Sequence, residues 1–162
     1  MTHSLPRRFA SWFPTRSRRE VTISAPIERV WSILTEAEHI SGWFADAGAE
    51  IDLRPGGALV MRWAEHGMTK ARVETVEPPH RFAYRWTAHH AEPGAEPQEG
   101  NSTLVEFTLS PEGDGTRLRV LETGFASLAT GDEQRARNYE DNVGGWQQML
   151  GRASEYAERV AA

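Results

Sequence analysis

Apolar residues recur along this chain with two periods, one of two residues and one near 3.6, and their order lays out a fold. Glu20-Val21-Thr22-Ile23-Ser24 alternates and is rich in β-branched residues, so it predicts a half-buried strand. Ala25-Pro26 ends it, and Pro26 suits the first turn of a helix in which Ile27, Val30, Trp31 and Leu34 share a face. Thr35 and Glu38 have the spacing of a capping box, which opens a second short helix through Ile40 that stops near Gly42.

Arg54-Pro55-Gly56-Gly57 is a turn signal between Ala49–Leu53 and the alternating Leu59, Met61 and Trp63, so a hairpin is expected. Met68 to Val76 gives the next strand. Pro78-Pro79 interrupts it, and Arg81 to Trp86 resumes with Phe82, Tyr84 and Trp86 on one face. Ala88 to Asn101 has few apolar residues and reads as a long exposed loop. Thr103–Leu109 and Thr116–Thr123 are two further strands, joined by Pro111-Glu112-Gly113-Asp114-Gly115. From Asp132 to Val160, Tyr139, Val143, Trp146, Met149, Leu150, Ala153 and Tyr156 fall at near-helical spacing and predict one long helix. The whole is α+β, and the antiparallel sheet must bury one face against that last helix.

The length of 162 residues fits one domain with a core and an internal pocket. No stretch approaches the roughly 18 apolar residues of a spanning helix. The chain has no Cys, which removes disulfides, thiolate metal sites and a Cys nucleophile and fits a cytoplasmic location. Arg7, Arg8, Arg16, Arg18 and Arg19 all precede the first acid, Glu20, so a net charge of −5 conceals a more acidic body. Such a body repels phosphate backbones, and nucleic acid is not an expected partner. Residues 1–18 are therefore expected to form a basic flexible arm and residues 19–162 the folded domain. Phe9, Trp12 and Phe13 beside Arg7 and Arg8 would suit an anionic surface or a partner's groove. No apolar segment of an export signal follows them.

Three stretches carry a family resemblance: Ser24-Ala25-Pro26-Ile27-Glu28-Arg29-Val30-Trp31 running on to Trp43-Phe44, then Arg54-Pro55-Gly56-Gly57, then Val73-Glu74-Thr75-Val76-Glu77-Pro78-Pro79-His80-Arg81-Phe82, with Gly145-Trp146 in support. In order and spacing the chain resembles the START-like, or SRPBCC and polyketide-cyclase-like, superfamily, in the branch related to the ATPase activator of the ninety-kilodalton heat-shock chaperone. The resemblance implies a helix-grip fold: a curved antiparallel sheet wrapped around a long carboxy-terminal helix, two short helices after the first strand, and a cavity between sheet and helix. It implies ligand carriers, cyclases or chaperone cofactors as functions. The expectation is a chain without the second, chaperone-binding domain of the cofactor itself.

If the alternation fixes the inner face, Leu59, Met61, Trp63, Phe82, Tyr84, Trp86, Val105, Phe107, Leu118 and Val120 point beneath the last helix. They either line a cavity for a planar or greasy molecule or fill the core. The candidate ligand-binding residues are Trp43, Met61, Trp63, Phe82, Tyr84, Trp86, Phe107, Val120, Glu122, Asn142 and Trp146. Indole N–H and phenol O–H groups on Trp63, Tyr84 and Trp86 could meet a ligand. Glu122 follows Leu118 and Val120 inward, where burial would make it a candidate general acid or base, or it reaches solvent or an Arg. Gly144-Gly145 inside the helix calls for compensation, either close packing on the sheet or a softened gate over the cavity. Tyr139 and Asn142 either orient a polar ligand group or are simply exposed or engaged in helix packing, and His66 is expected in an exposed turn.

His89-His90 with Glu92 resembles metal chemistry only in composition, since adjacent strand residues face opposite ways, and neither a metal nor a cofactor is expected. No phosphate loop or nucleophile elbow is present. The leading expectation is binding of a small hydrophobic or aromatic molecule, as carrier or sensor. The alternatives are a protein-interaction adaptor resembling a chaperone cofactor and a cyclase- or hydrolase-like enzyme using the same cavity.

Overall fold

The computed structural model of the chain describes residues 16–65, 67–92 and 94–160. Its first strand, β1 (Arg16–Ile23), begins at Arg16 rather than Glu20. Backbone pairing is the reason: Arg16 to Ile23 lie opposite Thr123 to Thr116 of β7 (Gly115–Thr123), so the ladder continues although Arg18 and Arg19 are exposed. A boundary at residue 18 thus falls inside the strand, and Phe9, Trp12 and Phe13 lie outside the described residues.

Helix α1 (Ile27–Thr35) starts where the Pro26 carbonyl accepts the N–H groups of Arg29 and Val30, and it buries Val30, Ile33 and Leu34. Helix α2 (Ala37–Trp43) runs past Gly42 and is not opened by a Thr35 capping box. The Thr35 hydroxyl is buried and donates back to the Trp31 carbonyl at 2.8 Å, which leaves Glu36 as an N-cap without a side-chain bond.

Five more strands follow: β2 (Ala49–Ile51), β3 (Ala58–Trp63), β4 (Gly67–Glu77), β5 (Arg81–Thr87) and β6 (Ser102–Glu112). With β1 and β7 they form a seven-stranded antiparallel sheet in the order β1-β7-β6-β5-β4-β3-β2. The β6–β7 connection is tighter than expected, because Pro111 and Glu112 pair with Thr116 and Gly115 and only Gly113 and Asp114 are left to turn. A register shift between Val73 and Thr75 adds a bulge to β4, the kind of irregularity that bends a strand. The curved sheet holds the long helix α3 (Asp132–Val160), and the architecture is the α+β helix grip. A 3₁₀ turn at Phe125–Ser127, which no periodicity reveals, leads into α3.

The core lies between the sheet and the helices. Leu59, Met61, Phe82, Tyr84, Val105, Phe107, Leu118 and Val120 are buried on the inner face, while Trp63 and Trp86 are half-buried. Helix α3 contributes Trp146, Leu150, Ala153 and Ala157. Near its end Tyr156 donates to or accepts from His39 Nδ1 on α2 at 2.8 Å. A Cβ on Gly42 would stand 2.5 Å from the Tyr156 ring, so the ring keeps this place against α2 only with Gly at that position.

Gly144 and Gly145 are different. A Cβ on either meets nothing within 4 Å, so close packing on the sheet does not explain them. Gly144→Ala is therefore expected to stabilise the fold by about 1 kcal/mol through helix propensity, raising Tm by roughly 2–4 °C. Gly42→Ala should lower Tm, because the Tyr156 ring must swing out and release His39. In a Tyr156→Leu background that penalty should vanish, and thermal denaturation of the four proteins of this cycle checks the coupling.

Candidate functional site

Inward alternation along β7 carries Leu118, Val120 and then Glu122 under α3, and Glu122 is completely buried. Donors from three other elements converge on its carboxylate. Trp86 Nε1 on β5 donates to Oε2 at 2.9 Å, and the Thr103 hydroxyl on β6 donates to the same oxygen at 2.5 Å. From α3, Trp146 Nε1 donates to Oε1 at 2.8 Å, and Asn142 Nδ2 reaches Oε1 at 3.1 Å and Oε2 at 2.9 Å. Indole and amide N–H groups only donate, which suits an acceptor with two oxygens. A buried carboxyl is tolerable on these terms because each oxygen is satisfied.

Above this knot lies a cleft of about 880 Å³. Phe44, Trp86 and Trp146 form its floor as one stacked group. Phe44 and Trp146 have centroids 5.8 Å apart and an interplanar angle of 22°, and Trp86 and Trp146 are 5.6 Å apart at 24°. Trp63 stands edge-on to Phe44 at 5.4 Å. One wall comes from Gly67, Met68 and Thr69 of β4, another from Thr87, Ala88, His89, Ala91, Glu92 and Gly94, and α3 closes the site with Asp141, Asn142, Gly145 and Met149. The glycine at 145 keeps space open: the helix passes the cleft there without a side chain.

The segment expected as an exposed loop is a loop, with Glu96, Gln98 and Glu99 exposed, and its first part, Ala88, His89, Ala91, Glu92 and Gly94, also serves as a wall of the cleft. Ala88 N–H bonds the Asn101 carbonyl at 2.7 Å, Arg72 Nη1 donates to the Pro97 carbonyl at 3.2 Å, and Lys70 pairs with Glu96 at 3.1 Å. His89 N–H bonds Asn138 Oδ1 on α3 at 3.2 Å. Polar anchors of this kind leave no hydrophobic pattern to read.

Of the candidate residues, Trp63, Trp86, Asn142 and Trp146 line the cleft. Trp43, Met61, Phe82, Tyr84, Phe107, Val120 and Glu122 do not; they are buried beneath it as core. The polar edges of the aromatics are also engaged elsewhere: Trp43 Nε1 donates to the Ile33 carbonyl and Trp63 Nε1 to the Phe44 carbonyl, each at 2.8 Å. What the cleft receives from its tryptophans is ring surface. Phe44, Met68, Gly145 and Met149 were missed as lining residues, and only the helical spacing of Met149 with Trp146 and Gly145 could have suggested one of them.

Tyr84 has a buried hydroxyl without a hydrogen-bond partner among the described residues. Burial, and then the nearby Glu122 charge, hold that phenol well above its usual range. Tyr139 packs edge-on against Phe125 at 5.3 Å, away from the cleft. His66 lies outside the described residues. His89 pairs with Asp141 at 3.5 Å at the cleft mouth, and the half-buried His90 has a buried Nδ1 without a hydrogen-bond partner among the described residues. Glu36, Glu38 and His39 gather outside the cleft, where His39 Nδ1 is already engaged by Tyr156.

The sequence model of the family described as Activator of Hsp90 ATPase homolog 1-like protein matches residues 24–158. The chain belongs to that family. Proteins of this activator-like fold bind hydrophobic ligands or act as polyketide-cyclase-like or chaperone-cofactor proteins. No curated protein matches the chain. Among solved structures it is similar to protein MLL2253 from Mesorhizobium loti, with 26% identity, TM-score 0.73, and coverage of 89% of this chain and 97% of that one. CalU16 from Micromonospora echinospora shares the fold at 22% identity, TM-score 0.62, covering 88% of this chain and 83% of that chain. So does the Aha1 dimer from Colwellia psychrerythraea, at 16% identity, TM-score 0.68, with coverage of 90% and 97%. Among the described residues no helix is long and apolar enough to cross a membrane.

Glu122→Ala strands the donors of Trp86, Thr103, Asn142 and Trp146 and is expected to cost about 3–5 kcal/mol in urea denaturation. Tyr84→Phe removes an unpartnered hydroxyl and should leave stability unchanged or raised. The raised Tyr84 pKa has a definite sign. Above pH about 10 the unfolded chain releases the phenol proton while the folded chain keeps it, so stability falls with pH by up to about 1.4 kcal/mol per unit. Tyr84→Phe should flatten that alkaline slope, and chemical denaturation between pH 9 and pH 11 reads it, a window set by the ordinary phenol pKa of about 10.

Proposed function

We propose that this chain is a binding module that takes a small, flat, predominantly apolar molecule into the cleft between sheet and α3, as a carrier or sensor. The observation that carries this reading is the stacked floor of Phe44, Trp86 and Trp146, in which the two indole N–H groups are turned down to Glu122 and all three rings line the space. A volume of about 880 Å³ falls within the range of sites for small molecules. Family membership agrees with it, since the fold houses hydrophobic ligands. A cyclase- or hydrolase-like activity has less support, because Glu122, the one buried carboxyl among the described residues, is enclosed by four neighbouring side chains and does not line the cleft.

Native mass spectrometry of the protein purified from its own source, followed by extraction, is expected to find a stoichiometric apolar compound. Gly145→Leu should fill the cleft without disturbing the core, since the space beside Gly145 is open. The variant is expected to lose at least about tenfold in affinity for that compound while its Tm stays level or rises, as Leu favours a helix over Gly. Full retention of binding in Gly145→Leu would sink the reading.

A further inference from the structure

We propose that the cleft prefers a cation: a flat aromatic or apolar body that carries a quaternary ammonium or protonated amine. This rests on the reading of the cleft as a ligand site and names the chemistry of what it takes.

The charge distribution around the cleft leads there. Glu122 lies directly behind the floor, because Trp86 and Trp146 line the cleft and donate to its carboxylate at 2.9 and 2.8 Å. Its hydrogen-bond partners Trp86, Thr103, Asn142 and Trp146 are all neutral, so they solvate the negative charge without cancelling it. A charge in a low-dielectric interior is felt at longer range than one in water. The donor indoles transmit it further: an N–H that donates to a carboxylate leaves its ring richer in electrons, and the ring face is where a cation is attracted.

The mouth of the cleft has the same sign. Glu92 on the wall segment and Asp141 on α3 place carboxylates there, and none of the described lining residues is Lys or Arg. The one basic group, His89, already faces Asp141 at 3.5 Å. An anionic ligand would therefore find carboxylates and no cation to receive it. A neutral ligand would gain ring contact alone. A cation gains ring faces below it and acids around it.

The test is isothermal titration calorimetry of the full chain in low salt at pH 8, above the ordinary imidazole range. The probes are (1-naphthylmethyl)trimethylammonium, 1-naphthalenemethanol and 1-naphthoate, which set one ring system against three charges. The ammonium is expected to bind at least about tenfold more tightly than the alcohol, with the carboxylate weakest. Glu92→Gln combined with Asp141→Asn alters only exposed side chains and should reduce that preference several-fold, leaving a residue owed to Glu122. Equal affinities, or naphthoate binding tightest, would overturn the cation preference and leave the ligand reading standing. A preference that persists undiminished in Gly145→Leu locates the binding elsewhere on the acidic surface and also overturns it. If none of the three probes binds, both readings fall.

Discussion

A single carboxylate organises this molecule. Glu122 brings together β5, β6, β7 and α3 through Trp86, Thr103, Asn142 and Trp146. Moving a charged group out of water is costly, and the fold offsets that with hydrogen bonds to an ionised acceptor, each worth about 1.5–3 kcal/mol. Apolar contacts hold the helix against the sheet almost anywhere along its length. Convergent donors specify one place, and here they set the height and rotation at which α3 crosses the inner face. At the other end of the helix, Tyr156 against Gly42 and His39 makes a second, smaller point of registration.

That arrangement shapes the cleft as well as the core. Orienting both indole N–H groups downward leaves their ring surfaces for the cleft, and Phe44 stacks into the same layer. The loop after β5 that carries one wall is fixed to β4 through Arg72 and Lys70 and to α3 through Asn138. A site whose floor and wall are both fixed before binding has less ordering entropy to lose on binding. Gly145 completes it by leaving the space beside α3 free of side chain.

The sheet was legible because a two-residue period is unambiguous when one face is buried, as in Phe82, Tyr84 and Trp86 or Leu118, Val120 and Glu122. The same alternation placed Glu122 inward and left open what it met there. No one-dimensional pattern says that side chains of residues 86, 103, 142 and 146 share an acceptor, because their convergence is a product of sheet curvature and helix rotation. This is also why several aromatic and apolar candidates, Phe82, Tyr84 and Phe107 among them, are core beneath the cleft. The outer wall was illegible for the opposite reason: its contacts run through backbone carbonyls and exposed charges. The early start of β1 depended on a partner strand about a hundred residues away, which local patterning does not register.

The shared acceptor at Glu122 has a consequence for how such a sequence can drift. The polar groups of Trp86, Thr103, Asn142 and Trp146 are satisfied through the same two oxygens, so replacing the acid strands a donor on all four, and replacing one donor weakens the case for retaining the acid. Gradual change at these positions passes through intermediates with stranded polar groups. Lineages that diverge here are expected to do so as a block, exchanging the polar knot for an apolar one together with the shape of the cleft above it.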